Sequence, residues 1–275
     1  MKTYKEANVA GMFYPDDPVE LRGLIDSLMN NVSIDLSDVS DILGVIAPHA
    51  GYVYSGQGAA YSYMALREND FDLAVIIAPS HQFADFYFSL GNYEYYNTPL
   101  GSIKVEGELV SKLLEDERFV FYPYAHSREH SIEVQLPFLQ VIRPEATILP
   151  ILIGRQFDSS SQYLSDTLIN VIGERLDKTV FIISSDLSHY HSSTIAEKMD
   201  LQLAEAIEKL DVEKFSSLIK LRESEACGYG AIMTLLHMAQ RLVFPHVKRL
   251  YYTHSGEVSH DYSQVVGYLS SLFYR

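Results

Sequence analysis

Three apolar runs that each lead to a histidine constrain the fold of this chain more than any other feature. Ile42–Ala47 is followed by a turn that contains His49, and Asp72–His81 repeats the same pattern of apolar run, proline and histidine. A third run, Thr179–Asp186, in which a strand is predicted at Thr179–Ser184, continues through a short polar segment to His189. Buried strands of open α/β sheets end in this way, and such proteins bind ligands outside the carboxyl ends of their strands. The pattern therefore predicts three strands that deliver three imidazoles.

Helical and strand-like patterns alternate along the rest of the chain, and no linker or internal repeat interrupts them. The sequence predicts a single three-layer α/β/α domain over residues 1–275, with a mostly parallel or mixed central sheet. Ser55 is expected to cap the second helix and Pro137 to kink a later one. The glycine-rich start of the second helix suits close packing against the sheet better than anion binding, because the lysine of a phosphate-binding loop is missing. Helices are predicted at Asp17–Asn30, Ser55–Leu66, Gly107–Asp116, Ser160–Leu176, Thr194–Leu210, Val212–Leu221 and Ala231–Leu242, and further strands at Phe86–Leu90, Gly101–Val105, Ala146–Ile153, Lys248–Thr253 and Val265–Phe273.

Charge and composition limit the kinds of partner. The formal net charge is −15 at pH 7, which disfavours nucleic acid and anionic membranes. No apolar stretch reaches the roughly 20 residues of a membrane-spanning helix. The one cysteine excludes an internal disulfide, and the first residues do not resemble a signal peptide, so we expect a cytoplasmic location.

Two of the histidines suit a metal site. His49 and His81 follow matched strand ends, and imidazoles held on rigid elements are common ligands of transition metals. An anionic ligand is then needed, and Cys227, Glu129 and Asp186 all lie in predicted turns from which they could supply it. Each histidine taken alone is more typical of a structural residue than of a ligand.

Other polar residues near the predicted turns allow two interpretations each. Cys227 precedes a predicted helix, where its pKa is expected to fall, but a single cysteine is also typical of a buried apolar position. Asp186 and His189 suit a general base and its orienting partner, although the same residues suit a helix cap. Glu129 and His130 form a polar segment that is equally typical of a solvated loop.

Several motifs together resemble one family. The sequence is similar to the Memo-like proteins, whose prokaryotic members are called protein B of the AmmeMemoRadiSam system. The resemblance covers nearly the whole chain, and two of its longer motifs are specific when they occur together. The matching stretches are Ala10–Pro15 (AGMFYP), Ile46–Gly56 (IAPHAGYVYSG), Ala78–His81 (APSH), Glu129–Leu139 (EHSIEVQLPFL), Ser184–Tyr190 (SSDLSHY) and Cys227-Gly228.

The resemblance implies a fold similar to that of class III extradiol dioxygenases, which hold non-haem Fe(II) with two histidines and a glutamate. His49 and His81 match the metal-binding histidines, and Cys227 stands where the dioxygenases have the carboxylate ligand. His189 matches the catalytic histidine, and Asp186 belongs to the same motif. Glu129 and His130 are candidates for residues that support the ligands. A thiolate is a softer ligand than a carboxylate and favours copper or zinc over Fe(II).

Three classes of function follow from the converging strand ends and the resemblance. The first is a metal-dependent oxidoreductase that uses iron or copper, with zinc as an alternative, on a small aromatic substrate. The second is a binding or scaffold protein that keeps the pocket without turnover and takes a small-molecule or peptide ligand, with Tyr93–Tyr96 at the rim. A metal-dependent hydrolase is a third class. The family also implies partners from the AmmeMemoRadiSam system.

Overall fold

The computed structural model describes residues 3–275, and a nine-stranded mixed sheet forms its centre. A second, three-stranded sheet contains β1, β5 and β6 of the strands given below. In chain order the strands are β1 (Tyr4–Lys5), β2 (Ile42–Ala47), β3 (Leu73–Pro79), β4 (Phe88–Leu90), β5 (Tyr95–Thr98), β6 (Gly101–Lys104), β7 (Phe119–Val120), β8 (Thr147–Ile153), β9 (Thr179–Ser184), β10 (His189–His191), β11 (His246–His254) and β12 (Val265–Tyr274).

Helices follow most of the strands. In chain order the α-helices are α1 (Pro18–Asn30), α2 (Tyr52–Leu66), α3 (Gly107–Leu113), α4 (Pro123–Ser127), α5 (Leu136–Ile142), α6 (Asp158–Ile172), α7 (Ser193–Glu208), α8 (Val212–Lys220), α9 (Tyr229–Leu242) and α10 (Gly256–Ser259). Short 3-10 helices cover Glu133–Gln135 and Gly173–Lys178.

The centre of the large sheet is parallel and its margins are antiparallel. Strands β2, β9, β3 and β8 lie side by side in that order and run in the same direction. On one side β12 joins β2 in the antiparallel sense and itself pairs with β10 and β11. On the other side β4 pairs antiparallel with β8, and β7 extends the sheet beyond it. The carboxyl ends of β2, β9 and β3 consequently meet at one edge.

Helices cover the sheet in two groups, which confirms the predicted three-layer α/β/α architecture. Helices α1, α2 and α5 pack together, and α2 packs against β2 and β12. Helices α6, α8 and α9 form the other group, in which α9 packs against β2, β9 and β3. All seven residues of β3 are buried, as expected for a parallel strand with helices on both faces.

The predicted element bounds agree best where the sequence signal is strongest. Strands β2 and β9 have the predicted bounds. Helix α1 is capped by the Asp17 carboxylate, which accepts hydrogen bonds from the amides of Val19 and Glu20. The prediction that Ser55 caps α2 was wrong, because α2 begins at Tyr52 and Ser55 lies inside the helix. Its hydroxyl donates to the carbonyl of Ala50, which precedes the helix.

The glycines of α2 and the proline of α5 each have a local structural explanation. An added Cβ on Gly58 would lie 3.2 Å from Pro48, so the glycine-rich start of α2 packs closely, as predicted. Pro137 does not kink a helix, because it lies in the first turn of α5, where a missing N–H costs no hydrogen bond. No helix within residues 3–275 combines the length and the apolar character needed to cross a bilayer.

Candidate metal centre

Three neighbouring strand ends bring the predicted residues to one edge of the sheet. His49 lies two residues beyond β2, Asp186 two residues beyond β9, and His81 two residues beyond β3. Because β9 lies between β2 and β3, the Asp186 turn lies between the two histidine turns. Cys227 reaches the same edge from the turn before α9, and its amide donates to the Asp186 carbonyl at 3.1 Å.

His130 joins His49 and His81 in a compact group of three imidazoles. One potential ligand atom from each of the three lies within 4.8 Å of the other two. The centroid of the His49 ring lies 5.2 Å from that of His81 and 5.4 Å from that of His130. The His81 and His130 rings stack with their centroids 4.9 Å apart. This group could hold a metal ion. The sequence assigned His130 only a supporting role, because its position in a polar segment gives no sign that the chain folds back over β3.

The hydrogen bonds around His49 fix its tautomer. The Ser184 hydroxyl has one proton, which it donates to the Ser131 carbonyl at 2.6 Å. The same oxygen accepts a hydrogen bond from the Gln135 amide and lies 2.9 Å from His49 Nδ1. Nδ1 must therefore carry the imidazole proton and donate it to Ser184. The lone pair is left on His49 Nε2, the atom that faces Cys227.

Glu129 holds the other two imidazoles in position. Its Oε1 atom lies 2.9 Å from His81 Nδ1 and 3.3 Å from His130 Nδ1, and its Oε2 atom accepts the His81 amide at 2.6 Å. Oε1 also accepts the amides of His130 and Ser131. Metal-binding histidines commonly donate their second N–H to a carboxylate, which orients the ring. With both oxygens engaged, Glu129 supports the ligands instead of binding a metal itself.

Burial sets the charge of the three imidazoles. Desolvation lowers the pKa of His49 well below its ordinary value and also lowers the pKa of His130. For His81, burial lowers the pKa, but the hydrogen bond and the charge of Glu129 outweigh burial and raise it. Burial also opposes ionisation of Glu129, yet the hydrogen bonds and charge of His81 lower the Glu129 pKa to about 2. The lowered pKa values favour the neutral, metal-binding forms of His49 and His130, whereas His81 would have to lose its second ring proton before it could bind a metal ion.

Cys227 lies beside His49, next to the three-histidine group and outside it. Its Sγ atom is 3.2 Å from His49 Nε2, to which the thiol can donate, and it accepts the Asp186 amide at 3.1 Å. The sequence left two interpretations of Cys227 open, and the lowered thiol pKa is the one that the structure does not favour. Burial is the largest effect, followed by the nearby charge of Asp186, and both raise the pKa of Cys227.

Asp186 is oriented toward His49 and is not hydrogen bonded to His189. Its Oδ1 atom accepts the His49 amide at 2.8 Å. Burial raises the pKa of Asp186 to about 7 despite this hydrogen bond. The carboxyl group is therefore poised between its neutral and charged forms near neutral pH, which suits a proton donor or acceptor.

His189 is oriented by the backbone. Its Nδ1 atom lies 2.8 Å from the Leu187 carbonyl, and a carbonyl can only accept, so Nδ1 carries the proton and Nε2 the lone pair. Burial lowers the pKa of His189, although the hydrogen bond to the Leu187 carbonyl and the charge of Glu225 oppose the shift. Glu225, which the sequence did not single out, accepts the His189 amide at 3.3 Å and lies 3.2 Å from His191 Nε2.

The predicted aromatic rim at Tyr93–Tyr96 is only partly available to a ligand. Tyr96 is buried, and its hydroxyl lies 3.3 Å from Nδ1 of the buried His126. Tyr93 is half-buried and packs edge-on against Phe121 at 5.2 Å. A different aromatic ring lies at the three-histidine group itself, where Phe13 packs against His130 at 5.0 Å.

Comparison with known proteins identifies the family. A family model described as "Memo-like protein" matches residues 5–272. This chain belongs to the Memo-like family. A MEMO1 family protein from Thermoplasma volcanium is 38% identical over 266 residues, covering 95% of each chain. A second from Methanobrevibacter smithii is 38% identical over 277 residues and covers 96% of this chain and 98% of its own.

A solved structure supports the fold of this Memo-like protein. An uncharacterised protein from Escherichia coli K12 superposes with a TM-score of 0.50 at 12% sequence identity. The match covers 84% of this chain and 99% of the other. At this identity the similarity concerns the fold alone, and the chemistry of the site has to be argued from its residues.

Proposed function

We propose that this Memo-like protein binds one transition metal ion between His49, His81 and His130, and that it is an oxidoreductase acting on a small aromatic substrate. One observation supports the metal site above all others. All three Nδ1 atoms face hydrogen-bond acceptors, the Ser184 hydroxyl for His49 and the Glu129 carboxylate for the other two. Three Nε2 atoms thus remain as ligands on rings that are held in place before metal arrives.

Cys227 is the proposed fourth protein ligand. Its Sγ atom lies 3.2 Å from His49 Nε2, so a small movement of the thiol would allow both atoms to bind the same metal ion. A ligand set of three imidazoles and one thiolate favours copper or zinc, and iron is the alternative that the dioxygenase-like fold implies. When bound, the metal would supply Lewis acidity and, for iron or copper, one-electron chemistry.

Proton transfer is the proposed role of His189 and Asp186. The His189 Nε2 atom carries a lone pair and no hydrogen bond from the described residues, so it can accept a proton from a phenolic hydroxyl. Asp186, whose pKa lies at about 7, can exchange a proton close to His49 and Cys227. The cytoplasm is the proposed location for this chemistry.

Metal content tests this proposal directly. The protein is purified anaerobically without chelator or affinity tag, and bound iron, copper and zinc are measured by mass spectrometry. We expect close to one equivalent in the wild type, a loss in His49→Ala and His130→Ala, and unchanged content in His237→Ala, whose ring pairs with Asp158 elsewhere. Retention of metal in His49→Ala would exclude the site. Loss in His49→Ala with retention in His130→Ala would exclude His130 as a ligand.

A binding or scaffold protein is the second candidate, and the exposed ring of Tyr190 favours it. This residue is 72% exposed and has a φ of 63°, a conformation that L-residues seldom adopt. It follows His189 directly, so a peptide or an AmmeMemoRadiSam partner could cover the site through it. A partner captured by wild type and lost by Tyr190→Ser, with metal content unchanged and no redox turnover, would favour this candidate.

A further inference from the structure

Residues 3–16 form a strap that runs from the small sheet to the three-histidine group. At one end of the strap, β1 pairs with β5 over two residues only. At the other end lies a compact turn in which the amides of Met12 and Phe13 donate to the Val9 carbonyl. The Phe13 carbonyl accepts the amide of Tyr52, the first residue of α2, at 2.7 Å. A short strand pairing and separate hydrogen bonds thus hold the strap to the rest of the protein.

Lys5 opposes the closed position of the strap, because it is buried without a carboxylate partner. Lys5 is only 7% exposed, whereas Lys104 on β6 of the same sheet is exposed. The Lys5 Nζ atom donates to the Glu6 carbonyl at 2.7 Å and forms no ion pair with any of residues 3–275. Burial lowers the pKa of Lys5, although the charges of Glu133 and Glu129 oppose the shift. Closure therefore takes an ammonium group out of water without replacing its hydration.

Asn8 adds a second unfavourable group to the closed strap. Its backbone amide donates to the Glu133 carboxylate at 2.7 Å. Its side-chain Nδ2 atom is buried, however, and has no hydrogen-bond partner in the described part of the chain. A buried donor without an acceptor is destabilising, because its hydrogen bonds to water are lost and not replaced. Such groups are uncommon in folded proteins, so their presence in one short segment indicates that the strap opens more easily than its surroundings.

The strap also contacts the less tightly held of the two histidines beside Glu129. His130 Nδ1 lies 3.3 Å from the Glu129 carboxylate, compared with 2.9 Å for His81 Nδ1. The ring of Phe13 packs against the His130 ring with the centroids 5.0 Å apart. Release of the strap would remove this packing and leave the His130 ring freer to turn. The closed strap therefore favours the arrangement in which His130 joins the other two imidazoles.

We propose that the strap opens as one unit and that only its closed form completes the metal site. The second half of this statement rests on the proposed function, in which His130 is a ligand. A metal ion that binds only the closed form must also hold the strap closed, because ligand binding stabilises the state that binds it. Opening itself needs no metal, so the two halves can be tested separately.

Hydrogen exchange of backbone amides, followed by NMR on metal-free protein, tests the opening. The amides of Val9 and Tyr52 report on it, because their hydrogen bonds to Glu133 and Phe13 join the strap to the rest of the protein. If the strap opens as one unit, their protection factors should agree within about threefold. Lys5→Met and Asn8→Ala should each raise both protection factors about tenfold, because each removes a group that favours water.

Lys104→Met is the matched control, since it removes an exposed lysine from the same small sheet. It should leave both protection factors within about twofold of the wild type. Protection factors of Val9 and Tyr52 that differ by more than about tenfold would overturn opening as one unit. Equal protection in wild type, Lys5→Met and Asn8→Ala would overturn the role of the buried polar groups, as would equal increases in Lys5→Met and Lys104→Met.

Zinc tests the link to the metal site. Zinc at about 100 times its Kd should raise the protection factors of Val9 and Tyr52 at least about tenfold. The amide of Asn69, which donates to the Leu66 carbonyl at the other end of α2, should not change. Bound zinc without this increase would overturn the link and leave the proposed function standing. If the wild type binds no zinc, the proposed function fails together with the link, and the metal-free exchange still decides whether the strap opens.

Discussion

Glu129 determines the geometry of the proposed metal centre, although it need not bind the metal ion itself. One carboxylate accepts hydrogen bonds from the His81 ring, the His81 amide and the amides of His130 and Ser131. A neutral carboxamide of the same shape cannot accept all of them, because one of its two ends is a donor. Loss of this residue therefore disturbs two proposed ligands at once.

Glu129→Gln is expected to lower metal affinity about 10- to 100-fold, the usual cost of removing a partner of a metal-binding histidine. Competition with a chelator of known affinity measures the change. Glu225→Gln is the matched control, since Glu225 lies at the same edge but contacts His189 and His191. Equal affinities of wild type and Glu129→Gln would contradict the role assigned to this carboxylate.

Glu133 connects the N-terminal loop to the same site. Its carboxylate is buried and accepts hydrogen bonds from the amides of Asn8 and Val9 and from the Tyr14 hydroxyl, all within 2.9 Å. The loop carries Phe13, whose ring packs against His130. The Glu133 carboxylate thus helps to hold the loop, and with it one wall of the site, together with the Tyr52 amide, which donates to the Phe13 carbonyl.

Glu133→Gln should lower the free energy of unfolding by about 2–4 kcal/mol, because the amide group faces backbone donors and leaves one of them unsatisfied. Urea unfolding followed by far-UV circular dichroism measures the change. The control Glu6→Gln alters an exposed carboxylate that accepts hydrogen bonds from Asn97, and it should cost less than about 0.5 kcal/mol. A loss for Glu133→Gln as small as that of the control would refute the anchoring role.

The site shows where sequence reasoning succeeds at the residue scale and where it stops. His49 and His81 could be predicted to lie together because parallel strands share an edge. His130 could not, since its approach depends on a turn after α4 in which the Ser131 hydroxyl donates to the Pro79 carbonyl across 52 residues. The pKa of Cys227 also depends on burial that no local pattern reveals.

Elements were predictable in proportion to the length of their apolar pattern. Strands β2, β3 and β9 are buried on both faces and read as continuous apolar runs. Strands β1 and β10 have two and three residues, too few for any periodicity, and their pairing is decided by the tertiary fold. The start of α2 was missed because Ser55 resembled a cap, whereas the helix begins after Gly51.

One substitution, glycine to alanine, should have opposite effects in two of these elements. In α1, a Cβ on Gly23 would meet nothing within 4 Å, so Gly23→Ala should raise the free energy of unfolding by about 0.5–1 kcal/mol through helix propensity. In β2, a Cβ on Gly44 would lie 2.2 Å from the Phe181 carbonyl oxygen of β9. Gly44→Ala should therefore cost about 3 kcal/mol or more.

Urea unfolding of both glycine variants provides the measurement. Gly44→Ala should also lower metal affinity, because it separates the strands that deliver His49 and Asp186, while Gly23→Ala should leave metal affinity unchanged. If the two variants changed metal affinity in the same direction and by the same amount, strand spacing would not control the site.

At the scale of the whole molecule, stability depends on the charge of a buried carboxyl group that lies far along the chain from His49, His81 and His130. Asp200 on α7 is fully buried and accepts hydrogen bonds from the Ser188 amide and the Tyr252 hydroxyl. Burial raises the pKa of Asp200 to about 6, although these hydrogen bonds oppose the shift. The folded protein therefore binds a proton at Asp200 more tightly than the unfolded chain, whose carboxyl has its ordinary pKa of 3.8.

This difference makes the contribution of Asp200 to stability fall as pH rises from about 4 to about 6, by roughly 3 kcal/mol at most. Asp200→Asn keeps an acceptor for Ser188 and never ionises, so it should be more stable than the wild type at pH 7.5 by about 1–3 kcal/mol. The advantage should shrink toward zero near pH 4, where Asp200 is neutral in both states. Urea unfolding at pH 4.5, 6 and 7.5 measures it, and Asp211→Asn, at an exposed cap of α8, is the control. An advantage that stays constant from pH 4.5 to 7.5 would mean that Asp200 does not change its charge on unfolding, and the stability would then have to depend on the shape of the side chain alone.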